Sequence, residues 1–150
     1  MTQQLGLRPA TPADSELCYH LHRAAMREVV EAIWGWDEAD QRGYHDRGFD
    51  PALTHIITID GQDAGALIVH YRPEEIYLAR VELHPDHQGR GTGTHLIRQL
   101  LAEAAARHQP LQLDVRTVNP RAHQLYQRLG FQEVSREDGK IRMRGQPINV

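Results

Sequence analysis

The chain has 150 residues, 40% hydrophobic and 25% charged, without repeats or low-complexity tracts; it is long enough for one domain with one buried core. A formal charge of −3 argues against a broad nucleic-acid-binding surface, and no apolar run reaches membrane-spanning length. The lone cysteine, Cys18, excludes an internal disulfide, and MTQQLGLRPA lacks the basic-then-apolar layout of a leader, so a cytoplasmic protein is expected.

LRPATPAD reads as a short strand entering a helix, with Thr11 as N-cap, Pro12 at the first helical position and Asp14 in the first turn. Leu17, Leu21, Ala24, Ala25 and Val29 recur at helical spacing and predict a first helix to about Val30. Gly35 breaks the next stretch, and Asp37 caps a second, shorter helix. LTHIITIDGQDAGALIVHY holds two β-rich runs around Asp60-Gly61, a hairpin signal. EEIYLARVELH is a further strand, ended by Pro85. A third helix runs from about Gly91 to Arg107 and buries Leu96, Ile97, Leu100, Leu101 and Ala104. PLQLDVRTV is a strand. NPRAHQLYQRLGF is a helix with Asn119 as N-cap, Pro120 at its first position and Gly130 after its last turn. FQEVSR and KIRMRG surround Glu137-Asp138-Gly139 as a closing hairpin. The order βααβββαβαββ predicts a single-domain α/β (α+β) fold: an antiparallel first half, one β-α-β crossover, and a mixed sheet of six to seven strands with about four helices.

Ten histidines raise the question of a metal. His20 and His22 lie roughly 200° apart around a helix and cannot share a face. His84 and His87 sit in a loop with no cysteine near them. Scattered surface histidines and no metal are expected.

HPDHQGRGTGTHL places Gly89, Gly91 and Gly93 alternately between a strand and a helix. A Walker loop needs Lys and then Ser or Thr after its last glycine, whereas Thr94 and His95 follow Gly93. A dinucleotide turn is closer, with Asp114 further along, but Thr94 stands where its third glycine belongs and HPDHQ separates strand from glycines. What remains is a loop whose successive N–H groups, aimed by the helix, cradle a diphosphate. Glycine weakens a helix start by about 1 kcal/mol per residue, so three in five residues are costly for a bare turn.

Gln88-Gly89-Arg90-Gly91-Thr92-Gly93 fits Q/R-x-x-G-x-G/A and so resembles the acyl-CoA pyrophosphate motif of the GNAT superfamily of N-acetyltransferases. VELHP before it resembles that family's fourth strand, and NPRAHQLYQRLGF its N-x-x-A-x-x-L-Y-x-x-x-G-F helix; the specific match covers roughly Ile76 to Phe131. The resemblance implies a GNAT-like domain over the whole chain, with acetyl-CoA as donor. It puts Gln88, Gly89, Arg90, Gly91, Thr92, Gly93 and Thr94 around the diphosphate, and the main chain of Val81 and Leu83 along the pantetheine arm. Asn119 would add a hydrogen bond to that region beyond its capping role. Tyr126 would sit beside the thioester sulfur and protonate the thiolate; the plain alternative is a core tyrosine.

Strand parity puts Tyr77, Ala79, Val81 and Leu83 on one side, with Arg80, Glu82 and His84 on the other. The same alternation separates Leu111, Leu113 and Val115 from Gln112, Asp114 and Arg116. Two neighbouring strands with one charged face suggest a wet cavity, with Glu82 and Asp114 as candidate bases for an ammonium substrate. Asp114 stands where the family's protein N-terminal branch carries a base glutamate; being a methylene shorter, it calls for a water relay. The bland alternative is an ion-pair ladder, Arg80 with Asp114 and Glu82 with Arg116. Trp34 and Trp36 would wall the acceptor side or pack a helix corner onto the core. Arg80 and Arg116 would suit a carboxylate on an amino acid or peptide acceptor, whereas Glu82, Asp114 and Asp37 would draw a polyamine or aminoglycoside.

The expected activity is transfer of an acetyl group from acetyl-CoA to a primary amine by direct attack in a ternary complex. The alternative is an acyl-CoA-binding sensor without turnover. The acceptor is a small-molecule, peptide or protein amine, with no nucleic-acid or membrane partner; the terminal hairpin would offer an edge for a homodimer.

Overall fold

The computed structural model describes residues 3–145. In chain order the elements are β1 (Leu5–Pro9), α1 (Ser15–Ile33), α2 (Glu38–Gly48), β2 (Thr54–Ile59), β3 (Gln62–Tyr71), β4 (Ile76–Leu83), α3 (Thr92–Ala106), β5 (Leu111–Arg116), α4 (Pro120–Arg128), β6 (Gln132–Glu137) and β7 (Lys140–Gly145). The expected order βααβββαβαββ is therefore observed. The sheet is mixed, with strands in the order β1-β2-β3-β4-β5-β7-β6. Two compact units divide the chain: residues up to Ile68 with Arg80–Arg90, and Val69–Ala79 with the chain from Gly91 onward.

In the first unit, β1 and β2 pair antiparallel with Leu5 opposite Ile59, and β2 and β3 pair antiparallel with Ile59 opposite Gln62. Their turn, Asp60-Gly61, holds both residues at positive φ (52° and 80°), the twist a two-residue hairpin requires. A 3₁₀ turn, Pro12–Asp14, precedes α1; Asp14 accepts from the Thr11 N–H at 2.8 Å and from both Arg8 terminal nitrogens at 3.0 and 2.9 Å. That clamp ties the helix start to β1. The helix α1 runs three residues past the expected end, because nothing before Gly35, at φ 77°, breaks it. Its buried residues are Cys18, Tyr19, Leu21 and Val30, whereas Ala24 of the expected stripe is exposed. Tyr19 removes far more apolar area from water than an alanine would, and its hydroxyl finds a partner in Glu38 at 2.7 Å, so the helix turns that side inward. Asp37 caps α2 as expected, accepting from the Asp40 N–H at 2.9 Å.

In the second unit, β4 starts parallel to β5, with Ile76, Tyr77 and Leu78 beside Leu111, Gln112 and Leu113. Antiparallel β7 follows, Asp114 opposite Arg142, and β6 pairs with β7 at the sheet edge. Leu111, Leu113, Val115, Ile141 and Met143 are buried, as are Leu96, Ile97, Leu100 and Ala104 of α3; Leu101 is only half-buried. The Asn119 Oδ1 caps α4, accepting from the Ala122 N–H at 3.3 Å, and Gly130 turns the chain out of it at φ 93°.

Candidate active site

Directly after β4, the 3₁₀ turn Pro85–His87 leads into Gln88, whose side-chain amide donates to the Leu83 carbonyl at 2.9 Å. Gly89 and Gly91 take φ 76° and 81°, conformations that glycine adopts without a steric penalty. Gly91 is the N-cap of the fifteen-residue α3 and brings no side-chain cap, so the first amides of a long helix lack a side-chain acceptor. A Cβ built on Gly89, Gly91 or Gly93 would meet nothing within 4 Å. Packing therefore does not demand these glycines; they leave clear the space in front of the amides. Exposed Arg90 adds positive charge, and the chemistry of this stretch, residues 88–94, suits a diphosphate.

Glu82 of β4 is 5% exposed. Its carboxylate lies 2.8 Å and 3.1 Å from His22 Nδ1 of α1 and 3.0 Å from Arg80 Nε. A buried carboxylate is tolerated only when charge and hydrogen-bonding capacity are met, and these two partners meet them. His22 is thus no scattered surface histidine, which corrects the sequence expectation. Its spacing was legible, since it lies four residues from buried Cys18 on α1. Near it stands the Trp36 ring, 6.3 Å between centroids. Trp36 donates its ring N–H to Glu38 at 2.7 Å, and Glu38 also accepts from Tyr19 at 2.7 Å and Arg23 at 3.0 Å. The Trp36, Tyr19 and Arg23 donors hold the Glu38 carboxyl down at about 2. Trp34 is 65% exposed, so it does not pack a helix corner onto the core.

In the second unit, Asp114 accepts from the Tyr77 hydroxyl at 2.6 Å and from Arg142 Nε and Nη2, each at 3.2 Å. Burial alone would raise the Asp114 carboxyl, but the bonds from Arg142 and Tyr77 outweigh it and hold it below its ordinary value. Burial, then the bond to Asp114, pushes the Tyr77 hydroxyl up to about 12. These partners correct the expected ladder: Arg80 pairs with Glu82 on its own strand, and Asp114 pairs with Arg142. They also correct the face assignment, because the parallel register sets Tyr77 beside Gln112, so the polar side of β5 adjoins the Tyr77 side of β4. Sequence reasoning missed Arg142; its alternation with Ile141 and Met143 was the available signal. Arg116 lies at the end of β5 with Lys140 as register partner.

Tyr126 stands on α4, its ring edge-on to Phe131 at 5.6 Å. Burial pushes its hydroxyl up to about 12, so it is protonated at neutral pH. Among the described residues, no group of three or more His, Cys, Asp or Glu side chains is arranged to hold a metal ion, and no helix is long and apolar enough to cross a membrane.

The chain belongs to the acetyltransferase (GNAT) family, whose model matches residues 16–131. A stretch of 58 residues is 38% identical to the L-2,4-diaminobutyric acid acetyltransferase of Nocardia farcinica, covering 37% of this chain and only 30% of that protein. The fold is similar to that of the PaiA N-acetyltransferase from Thermoplasma acidophilum in complex with coenzyme A, with TM-score 0.78, 14% identity, and coverage of 95% of this chain and 99% of that one. It is also similar to the ribosomal-protein-S18-alanine N-acetyltransferase from Escherichia coli, with TM-score 0.69, 23% identity, and coverage of 98% and 96%.

Proposed function

We propose that this chain is an N-acetyltransferase that moves an acetyl group from acetyl-CoA to a primary amine by direct attack, with both substrates bound. The observation that carries the reading is the start of α3: a long helix whose N-cap is a left-handed glycine without a capping side chain, and whose flanking glycines leave open space before the amides. The solved neighbour in complex with coenzyme A supports the same donor. The family match from residue 16 to residue 131 enters both compact units, which supports reading them as one acetyltransferase domain.

Acetyl-CoA, when bound, supplies the thioester. Gln88, Gly89, Arg90, Gly91, Thr92, Gly93 and Thr94 hold its diphosphate, and the main chain of Val81 and Leu83 holds the arm, with Gln88 steadying the Leu83 carbonyl. Asn119 reaches the same region with its amide while its Oδ1 caps α4. Tyr126 keeps its proton at neutral pH and delivers it to the leaving sulfur. Glu82 serves the deprotonation of the amine. Asp114 has both oxygens engaged, so its part is to fix Tyr77 and Arg142. Arg80, paired with Glu82, and Arg116 are the candidate cations for an acceptor carboxylate. Trp36 rather than Trp34 walls the acceptor side, since it is anchored through Glu38.

The Nocardia relative is named for a small amino acid and the E. coli neighbour for a protein alanine; a primary amine is the chemistry common to both. A thiol-release assay with acetyl-CoA against a panel of primary amines tests the reading. Tight donor binding without free thiol for any amine would turn it into the sensor alternative.

A further inference from the structure

The side chain at the exposed end of the Glu82 cluster has no place in the scheme above. His22 presents Nδ1 to both Glu82 oxygens, at 2.8 and 3.1 Å. A carboxylate only accepts, so Nδ1 carries a proton, and in the neutral form of the ring the lone pair is on Nε2. Nε2 has no hydrogen-bond partner among the described residues and is not an enclosed atom; the side chain is 17% exposed against 4% for that of Glu82. Arg80 Nε, 3.0 Å from Glu82 Oε1, supplies a positive charge to the buried carboxylate. Nearby, burial pushes the Cys18 thiol of α1 up to about 11, and burial lowers His45 of α2. The Trp36 ring lies 6.3 Å from the His22 ring, centroid to centroid, tilted by 41°.

A nitrogen base oriented through Nδ1 by a buried carboxylate, with its other nitrogen left without a partner, is the arrangement of an oriented general base. We infer that His22 is the catalytic base of the acetyl transfer, taking the ammonium proton on Nε2, and that Glu82 is its positioning residue. This rests on the acetyltransferase reading. The acceptor ammonium gives one proton to His22, which passes it to solvent. The freed amine lone pair forms the C–N bond as the C–S bond breaks, and the nitrogen loses its second proton to water. The sulfur receives one proton from Tyr126, which recovers one from solvent, so one proton is released per turnover.

The test compares wild type with His22→Gln, which keeps an amide to bond Glu82. Two acceptor classes are used: alkyl amines such as spermidine, L-2,4-diaminobutyrate and an alanine-initiated peptide, and aniline, which is already neutral at pH 7. His22→Gln is expected to lower kcat/KM for a reactive alkyl amine about 10²-fold or more and to abolish the acid limb of its pH profile. Acetyl-CoA affinity and the aniline rate should change less than about threefold. An acid limb that persists, or equal losses for both amine classes, overturns the proposal and leaves His22 a structural partner. Imidazole ¹⁵N spectra of the wild type give a second reading independent of the variant's folding: a protonated Nδ1 with an imine-type Nε2 is expected, and the opposite tautomer overturns the role. Wild-type silence toward every amine, with acetyl-CoA still bound, overturns the acetyltransferase reading itself and His22's role with it.

Discussion

Gly65→Ala is the sharpest test of how β4 is held. A Cβ on Gly65 would lie 2.2 Å from the Glu82 carbonyl oxygen, 3.2 Å from its carbonyl carbon and 3.0 Å from Leu83 Cδ2. Ordinary contact begins near 3.4 Å, and the nearest atom is backbone, so β4 must retreat by more than an ångström at Glu82. It cannot slide freely, because the His84 N–H donates to the Ala64 carbonyl at 2.8 Å. Overpacking costs about 1–3 kcal/mol, and a backbone clash belongs at the upper end. The reduced freedom of the unfolded alanine chain returns about 0.4–1 kcal/mol. A net loss of about 2 kcal/mol should lower Tm by about 4–8 °C for a chain of this size. The displaced stretch carries Val81 and Leu83, so acetyl-CoA affinity should fall by about tenfold as well. Thermal unfolding and calorimetric titration read both. A Tm within 1 °C of wild type would refute the reasoning, since β4 would then not depend on the missing Cβ.

Gly93→Ala separates stability from binding. Its Cβ meets nothing within 4 Å, so alanine in the first turn of α3 should leave Tm unchanged or raise it by about 1–3 °C while acetyl-CoA affinity drops several-fold; an unchanged affinity would remove the diphosphate from this loop. Tyr126→Phe should lower kcat about 10²-fold with acetyl-CoA affinity intact, measured by steady-state thiol release and titration. Asp14 is held at about 2 by the bonds from Arg8 and the Thr11 N–H, against an ordinary 3.8. Its native value is the lower one, so its contribution is complete above the ordinary value and lost as pH falls through about 2. Asp14→Asn should therefore cost about 1 kcal/mol at pH 5–7, after allowance for the exposure of Arg8, and the gap should close near pH 2. Urea unfolding across that range measures it; a gap independent of pH would assign the loss to packing.

Element order, both hairpin turns and the caps of α2 and α4 were legible in the sequence because they are set by neighbours a few residues apart, whereas α1 starts after Asp14 and not at Pro12. Asp60-Gly61 and Asp138-Gly139 sit at positive φ, and Asp37 and Asn119 accept the amides their positions demand. The stretch of residues 88–94 was legible for the same reason: left-handed glycines before a helix are a local instruction. The inward side of α1 was not, since Tyr19 in place of Ala24 depends on Glu38 being there to receive its hydroxyl.

What the sequence by itself determined is the order of the elements and the local geometry of the glycine loop. Only the tertiary structure decided which charge meets which. Asp114 meets Arg142 and Tyr77, 28 and 37 residues away, and Glu82 meets His22 across 60. Parity within a strand limits the choices but does not select among them, because a partner is chosen by the register between strands and by the rotation of α1 about its axis. Both are fixed by how large side chains fill the interior of each unit, Tyr19 in the first and Ile97 and Met143 in the second, a many-body packing that no short stretch encodes.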